Sequence, residues 1–233
     1  MSFNTIQTIS FDATGTLFDP FPSIGAIYSE ILQEHGVNIS EPDLEMRFMV
    51  EFHKSRSQPM EHIDESSEKA RWRSVLNNIL KEDYTEEIFD ALWGSMGHGD
   101  RWKTKPKLRR TLQGLKDIGF RLVVVSNWDN RLHRILSDLN IDDYFDHVFI
   151  STELGAEKPS EDVFNRALQE LGTPANTLFH IENSPANDLK PALRAGWNAL
   201  LLHNRIPHGL ESGNVLGSID QLPEVLKSEQ AVS

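Results

Sequence analysis

Four short polar clusters carry residue types that can do chemistry. They are Asp12-Ala13-Thr14-Gly15-Thr16, Ser126-Asn127, Lys158-Pro159, and Glu182-Asn183 with Asp188 close behind. A carboxylate such as Asp12 can attack a substrate and form an ester that water later breaks. A glycine at position 15 lets the backbone come close, where a bulkier residue would block it. Ser126, with the N–H groups that open a following helix, can hold phosphate or carboxylate oxygens. Lys158 can neutralise charge on a nucleophile and on a group in transfer. Trp128, two residues past Ser126, is placed to line the same cleft. Each also has a plain structural reading: Asp12 as a turn residue, Ser126 and Asn127 as helix caps, Lys158 as a solvated loop cation, Asp188 as a cap.

These residues need a scaffold that delivers them to one place. Five short apolar segments read as buried strands: Ile6–Phe11, Leu122–Ser126, His147–Ser151, Thr177–Ile181 and Asn198–Leu202. Runs of this length, bounded by turn residues, suit parallel strands covered on both faces. Between them lie helical spacings: Leu108, Leu112, Leu115 and Ile118; Leu132, Ile135, Leu136 and Leu139; Val163, Phe164, Ala167, Leu168 and Leu171. Strand alternating with helix predicts βαβ units, an α/β fold with a Rossmann-like parallel sheet. In such a sheet, ligands sit outside the carboxyl ends of the strands, which is where all four polar clusters fall.

From about Phe21 to Trp102 the alternation stops. Helical spacings take over, at Ile24, Ile27, Ile31 and Leu32, then Leu44, Phe48 and Phe52, then Trp72, Val75, Leu76 and Ile79, then Ile88, Phe89, Leu92 and Trp93. The reading is a helical insert over residues 21–102, with the core formed by 1–20 and 103–233, and a short terminal helix beyond Asp220.

Composition bounds the function. The 233 residues are 39% hydrophobic and 25% charged, as in an ordinary globular protein. A net charge of −12 argues against a nucleic-acid partner. The absence of cysteine excludes disulfides, thiolate metal sites and a cysteine nucleophile. No apolar run is long enough to span a bilayer, and the expected setting is the cytoplasm, as monomer or homodimer. Gly94, Gly97 and Gly99 only loosely have dinucleotide-fingerprint spacing and follow no strand, so a nucleotide site is rejected. The basic run Arg101, Lys103, Lys105, Lys107, Arg109, Arg110 reads as a solvated hinge face.

Taken in order, the four clusters resemble the haloacid dehalogenase (HAD) superfamily, and the helical insert lies where that family places an α-helical cap. The resemblance implies an aspartyl covalent intermediate at Asp12, a phosphate- or carboxylate-holding Ser126 with Asn127 and Trp128 beside it, and Lys158 as the charge-neutralising group. It implies Mg²⁺ held by Asp12, Thr14, Glu182, Asn183 and Asp188, with oxygen ligands as that ion prefers. Two positions depart from the pattern. Thr14 stands where the family's phosphatases carry a second Asp as general acid and base, a loss that typically costs about 10²–10⁴-fold in rate. Asn183 replaces a carboxylate, so the expected Mg²⁺ site is weak or absent. The expected activity is hydrolysis of a small anionic metabolite, a phosphate ester by family prior, with reduced phosphatase competence. The alternatives are a metal-independent 2-haloacid dehalogenase, for which Arg47 is the nearest cap arginine, and a HAD-fold protein that binds without turnover.

Overall fold

The computed structural model describes residues 5–185, 189–203 and 215–230, the last three of these for backbone only. Its central sheet has six parallel strands, β1 (Thr8–Phe11), β4 (Arg121–Ser126), β5 (His147–Ile150), β6 (Leu178–Glu182), β7 (Asn198–Leu202) and β8 (Val215–Leu216). Their spatial order is β5-β4-β1-β6-β7-β8. β1 is therefore central, and the chain leaves it first towards β4 and then crosses back to β6. That reversal is the switch point at which a doubly wound sheet opens a crevice.

The sheet is buried on both faces, as the uninterrupted apolar strands require. Leu122 and Val124 of β4 point into one core cluster, with Ile9 and Phe11; Val123 and Val125 point into the other, with Phe149 and Ala199. The covering helices are amphipathic: α5 (Leu108–Ile118), α6 (Arg131–Asp138), α7 (Ser151–Leu154), α8 (Asp162–Leu171), α9 (Lys190–Arg194) and α10 (Leu222–Gln230). Gly119 ends α5 and Gly172 ends α8, both in the left-handed conformation that a helix stop favours.

The helical insert is present as four helices, α1 (Ile24–Glu34), α2 (Glu41–Arg56), α3 (Glu65–Leu80) and α4 (Glu86–Ser95). Ser23, Ser40, Asp64 and Thr85 cap their N-termini, each side chain accepting from a backbone N–H of the first turn. A pair of three-residue antiparallel strands, β2 (Phe18–Pro20) and β3 (Trp102–Thr104), ties the entry of the insert to its exit. Strands this short carry no periodicity, and neither they nor β8 were legible in the sequence. The basic run lies largely at the surface, as read, and three of its cations are ion-paired there: Arg101 with Glu30, Lys105 with Asp19 and Lys107 with Asp220. Gly99 has a packing reason: a Cβ there would collide with Asp138 of α6, while the Gly99 N–H donates to Asp138 Oδ2 at 2.9 Å. Among the described residues, no helix is long and apolar enough to cross a membrane.

Candidate active site

The register of the sheet assembles the site. Phe11 pairs with Val124 on one side and Ile181 on the other, so Asp12, Ser126 and Asn183 emerge together at the carboxyl edge. Asp12 extends the strand by one more bond, its N–H donating to Ile181 O at 2.9 Å. β5 lies beyond β4, and the short helix α7 returns the chain so that Lys158 reaches back across the edge.

Asp12 is the focus. Ser126 Oγ donates to Asp12 Oδ1 at 2.7 Å and Lys158 Nζ donates to the same oxygen at 2.8 Å. The lysine side chain is 1% exposed and the aspartate 13%, so the pair sits in a largely dry setting. Its attraction is little screened there, and removing either partner would strand the other charge. Asn127 acts on the lysine through the backbone. Its Nδ2 donates to Lys158 O and its Oδ1 accepts from Lys158 N–H, both at 2.8 Å, and this two-point clamp fixes the loop that carries the ammonium.

Thr14 is held by Trp128, whose indole N–H donates to Thr14 Oγ1 at 3.1 Å. Gly15 takes φ +85°, and a Cβ there would collide with the Asn183 amide. That close approach is what the glycine provides, and it brings Asn183 to the turn after β1. Thr16 Oγ1 lies 3.5 Å from Asn183 Oδ1. Asp12, Thr14, Ser126, Asn127, Trp128, Lys158 and Asn183 all line one cavity of about 530 Å³. Glu182 is fully buried below it and does not line it; its Oε2 accepts from the Ser184 N–H. Asp188 lies outside the described residues.

The insert supplies the other side of the cavity. Arg71 of α3 forms a bidentate pair with Glu157, the residue before Lys158, at 2.6 and 2.7 Å. Arg56 of α2 reaches Glu157 at 3.1 Å and also pairs with Glu68, and Arg71 reaches Glu68 at 3.1 Å. Burial disfavours a charged guanidinium, yet Glu157 and Glu68 hold Arg71 above the usual arginine range. The Glu157-Lys158 dipeptide therefore faces two ways, its first charge joining the insert and its second joining Asp12. Behind it, Arg131 stacks 3.3 Å from the centre of the Trp93 ring and pairs with Asp129 through two contacts of 2.8 Å. Arg47 donates to Ile79 O at 3.0 Å and is not among the residues lining the cavity.

A family model of haloacid dehalogenase-like hydrolases matches residues 6–196. The chain belongs to that family. A member of the HAD-like hydrolases, it is 25% identical over 230 residues to haloacid dehalogenase-like hydrolase domain-containing protein 3 of Xenopus laevis, covering 95% of this chain and 94% of the relative. It is 27% identical over 212 residues to a phosphoglycolate phosphatase of Aquifex aeolicus, covering 87% and 90%. Among solved structures, the HAD hydrolase YfnB of Bacillus subtilis, described as bound to magnesium, is similar with a TM-score of 0.77 at 15% identity, covering 95% and 98%. The L-2-haloacid dehalogenase of Xanthobacter autotrophicus with covalently bound chloropropionic acid gives 0.74 at 15% identity, with the same coverage. These two structures establish the fold.

A tightly held Mg²⁺ wants several oxygens and usually one or two carboxylates. Here Asp12 shares its carboxylate with Lys158, Asn183 and the Thr14 carbonyl are neutral, and Glu182 is turned into the Ser184 backbone. No group of three His, Asp or Glu side chains that could hold a cation occurs among the described residues. The described residues fit a tightly bound cation poorly.

The sequence carried no warning of the Arg56–Glu68–Arg71–Glu157 network. The spacing of Phe48 and Phe52 and the presence of Trp72 were visible as a helix face, but not that this face would look into the cavity.

Proposed function

We propose that this HAD-like hydrolase cleaves an ester of an anionic metabolite through a covalent intermediate on Asp12, with residues 21–102 acting as a cap over a core of 1–20 and 103–233. The observation that carries the reading is the convergence of Lys158 and Ser126 on Asp12 Oδ1, which leaves Oδ2 to attack. Attack on phosphorus forms the Asp12–phosphate bond as the ester P–O bond breaks. Water then cleaves the acyl phosphate, returning the carboxylate and releasing inorganic phosphate. Lys158 offsets the negative charge that gathers during both steps.

The weak point is the proton for the leaving group. Thr14 has no accessible pKa near neutrality, so the site favours leaving groups that depart with little help. Few carboxylate oxygens among the described residues are open to a cation, so Mg²⁺ is at most a weak partner that a chelator strips readily. The acidic, cysteine-free chain suits a cytoplasmic setting.

Thr14 also favours a second reading, a 2-haloacid dehalogenase. There Asp12 attacks the carbon bearing the halogen, the halide leaves without a proton, and water cleaves the resulting ester.

The test compares wild type with Asp12→Asn on phenyl phosphate and on 2-chloropropionate, each with and without EDTA. Asp12→Asn should lower turnover by about 10³-fold or more on the true substrate class, because a nucleophile is lost outright. An acid quench should show a mass increment on the peptide carrying Asp12. A variant that folds and keeps wild-type rates would sink the proposal. Sensitivity to EDTA favours the phosphatase, and indifference with chloropropionate turnover favours the dehalogenase. No turnover on either, with anion binding intact, makes the protein a binder.

A further inference from the structure

The cavity beside Asp12 is lined mostly by carbon surface. Its outer wall comes from α2 and α3, where Phe48 and Phe52 stack at 5.4 Å and 11° and Trp72 lies 5.7 Å from Phe52. Trp102 and Trp128 also line it and meet edge to face at 5.3 Å. The polar tips of these indoles are already spent. Trp72 donates to Glu68 at 2.9 Å, Trp102 to the Met96 carbonyl at 3.0 Å and Trp128 to Thr14 at 3.1 Å. What remains for a guest is ring surface, which suits flat apolar groups.

The cations are spent as well. Arg56 is held by Glu68 and Glu157, Arg131 by Asp129, and Lys158 by Asp12. Among the described lining residues, five carboxylates (Asp12, Asp19, Glu45, Glu68 and Asp129) stand against these three cations. Glu45 is engaged with the Gly25 N–H at 2.6 Å. A ligand with a second anionic group, placed away from Asp12, would find carboxylates and rings there. The volume, about 530 Å³, lies in the range of pockets that bury drug-sized ligands.

We propose that the protein selects substrates made of one anionic head group, seated at Asp12, Ser126 and Lys158, and a flat apolar body stacked between Trp72 with Phe52 and Trp102 with Trp128. Small acids bearing two anionic groups are disfavoured. The placement of the head rests on the function proposed above; the preference for the body does not.

Non-hydrolysable phosphonates separate the two. Calorimetric titration of wild type with 1-naphthylmethylphosphonate, methylphosphonate and phosphonoacetate should show the naphthyl compound binding tighter than methylphosphonate by about tenfold or more, from apolar burial. Phosphonoacetate should bind no tighter than methylphosphonate. Trp72→Ala should remove most of the naphthyl advantage and Trp72→Phe should keep most of it; if Trp72→Ala does not fold, Phe52→Leu makes the same cut. Equal binding of the three, binding of none, a preference for phosphonoacetate, or a naphthyl advantage untouched by these variants overturns the inference. A naphthyl advantage with no turnover of phenyl phosphate or 2-chloropropionate supports it and defeats Asp12 as nucleophile; turnover of either without the advantage does the reverse.

Discussion

The two walls of the cavity are made on different principles. The sheet edge is polar and over-determined: Asp12 takes two donors on one oxygen, and the lysine among them is itself clamped by Asn127. The helical side is aromatic, and its charges are neutralised among themselves before any ligand arrives. The first arrangement fixes a reacting atom, which needs directional bonds in a dry place. The second provides area and shape, which set how large a body fits and discriminate weakly between close analogues. On the proposed reading, reaction rests on the sheet edge and selection mainly on the α2–α3 face, with Trp128 touching both.

The sharpest way to test that separation is to change the chemistry while leaving the Phe52 and Trp72 side of the cavity untouched. Thr14→Asp places a carboxylic acid two residues from the nucleophile, beside the Trp128 indole that now donates to Thr14. Turnover of an alkyl phosphate, whose leaving group needs a proton, should rise by about 10²-fold. The ratio of naphthyl to methyl phosphonate affinity should stay as in wild type. A rise confined to aryl phosphates would mean that proton delivery is not what limits the site.

The sheet edge was legible in the sequence because Asp12, Ser126 and Asn183 close or follow strands that announce themselves. Val123-Val124-Val125 can hardly be anything but buried β-structure, so Ser126 has to emerge at its end, and the parallel order follows from the helices between strands. The aromatic wall was not legible. Phe48, Phe52 and Trp72 have the spacing of any core-facing helix, and whether such a face meets a core or a cavity depends on the packing of α1 to α4 against the sheet. The same holds for Glu157. Its charge was visible beside Lys158, but its partners Arg56 and Arg71 lie 101 and 86 residues away.

A smaller change tests the donor set around Asp12. Asn183→Asp adds a carboxylate next to the Gly15 turn, and Mg²⁺ affinity measured by titration should rise by about tenfold, as ligand charge increases. If affinity does not change, the shortfall lies in geometry rather than in charge.

The helical side can be altered at its seam with the core. Glu157→Gln keeps the shape of the side chain but removes one of the two charges, the other being Glu68, that hold Arg56 and Arg71. Breaking a buried pair leaves a guanidinium looking for an anion. Phosphonoacetate should then gain affinity by about fivefold, as one recovered charged hydrogen bond would give, while methylphosphonate changes little. An unchanged order of ligands would show that the paired arginines are not what excludes a second anionic group.

The smallest effect asks whether the aromatic wall stands on its own local structure. Asp64 caps α3, the helix that carries Trp72 and Arg71, and with Ser67 it forms a reciprocal capping box. The Ser67 backbone N–H, with the Ser66 and Ser67 hydroxyls, holds the Asp64 carboxyl below its ordinary value. A carboxyl depressed in the folded state adds stability above its unfolded pKa and loses it as the pH falls through the folded value. Asp64→Ala should therefore lower the melting temperature at pH 7 by roughly 2 °C. The wild-type and variant melting curves should converge once the solution is acid enough to protonate the cap. Hydrolysis at Asp12 should be unaffected at pH 7. Among the described residues the Asp64 side chain bonds only Ser66 and Ser67, while the tie from this helix end to Asn130 and Thr152 runs through Glu65, which the variant keeps. If turnover falls in step with the melting temperature, the two walls are coupled through α3 and the division of labour between them fails.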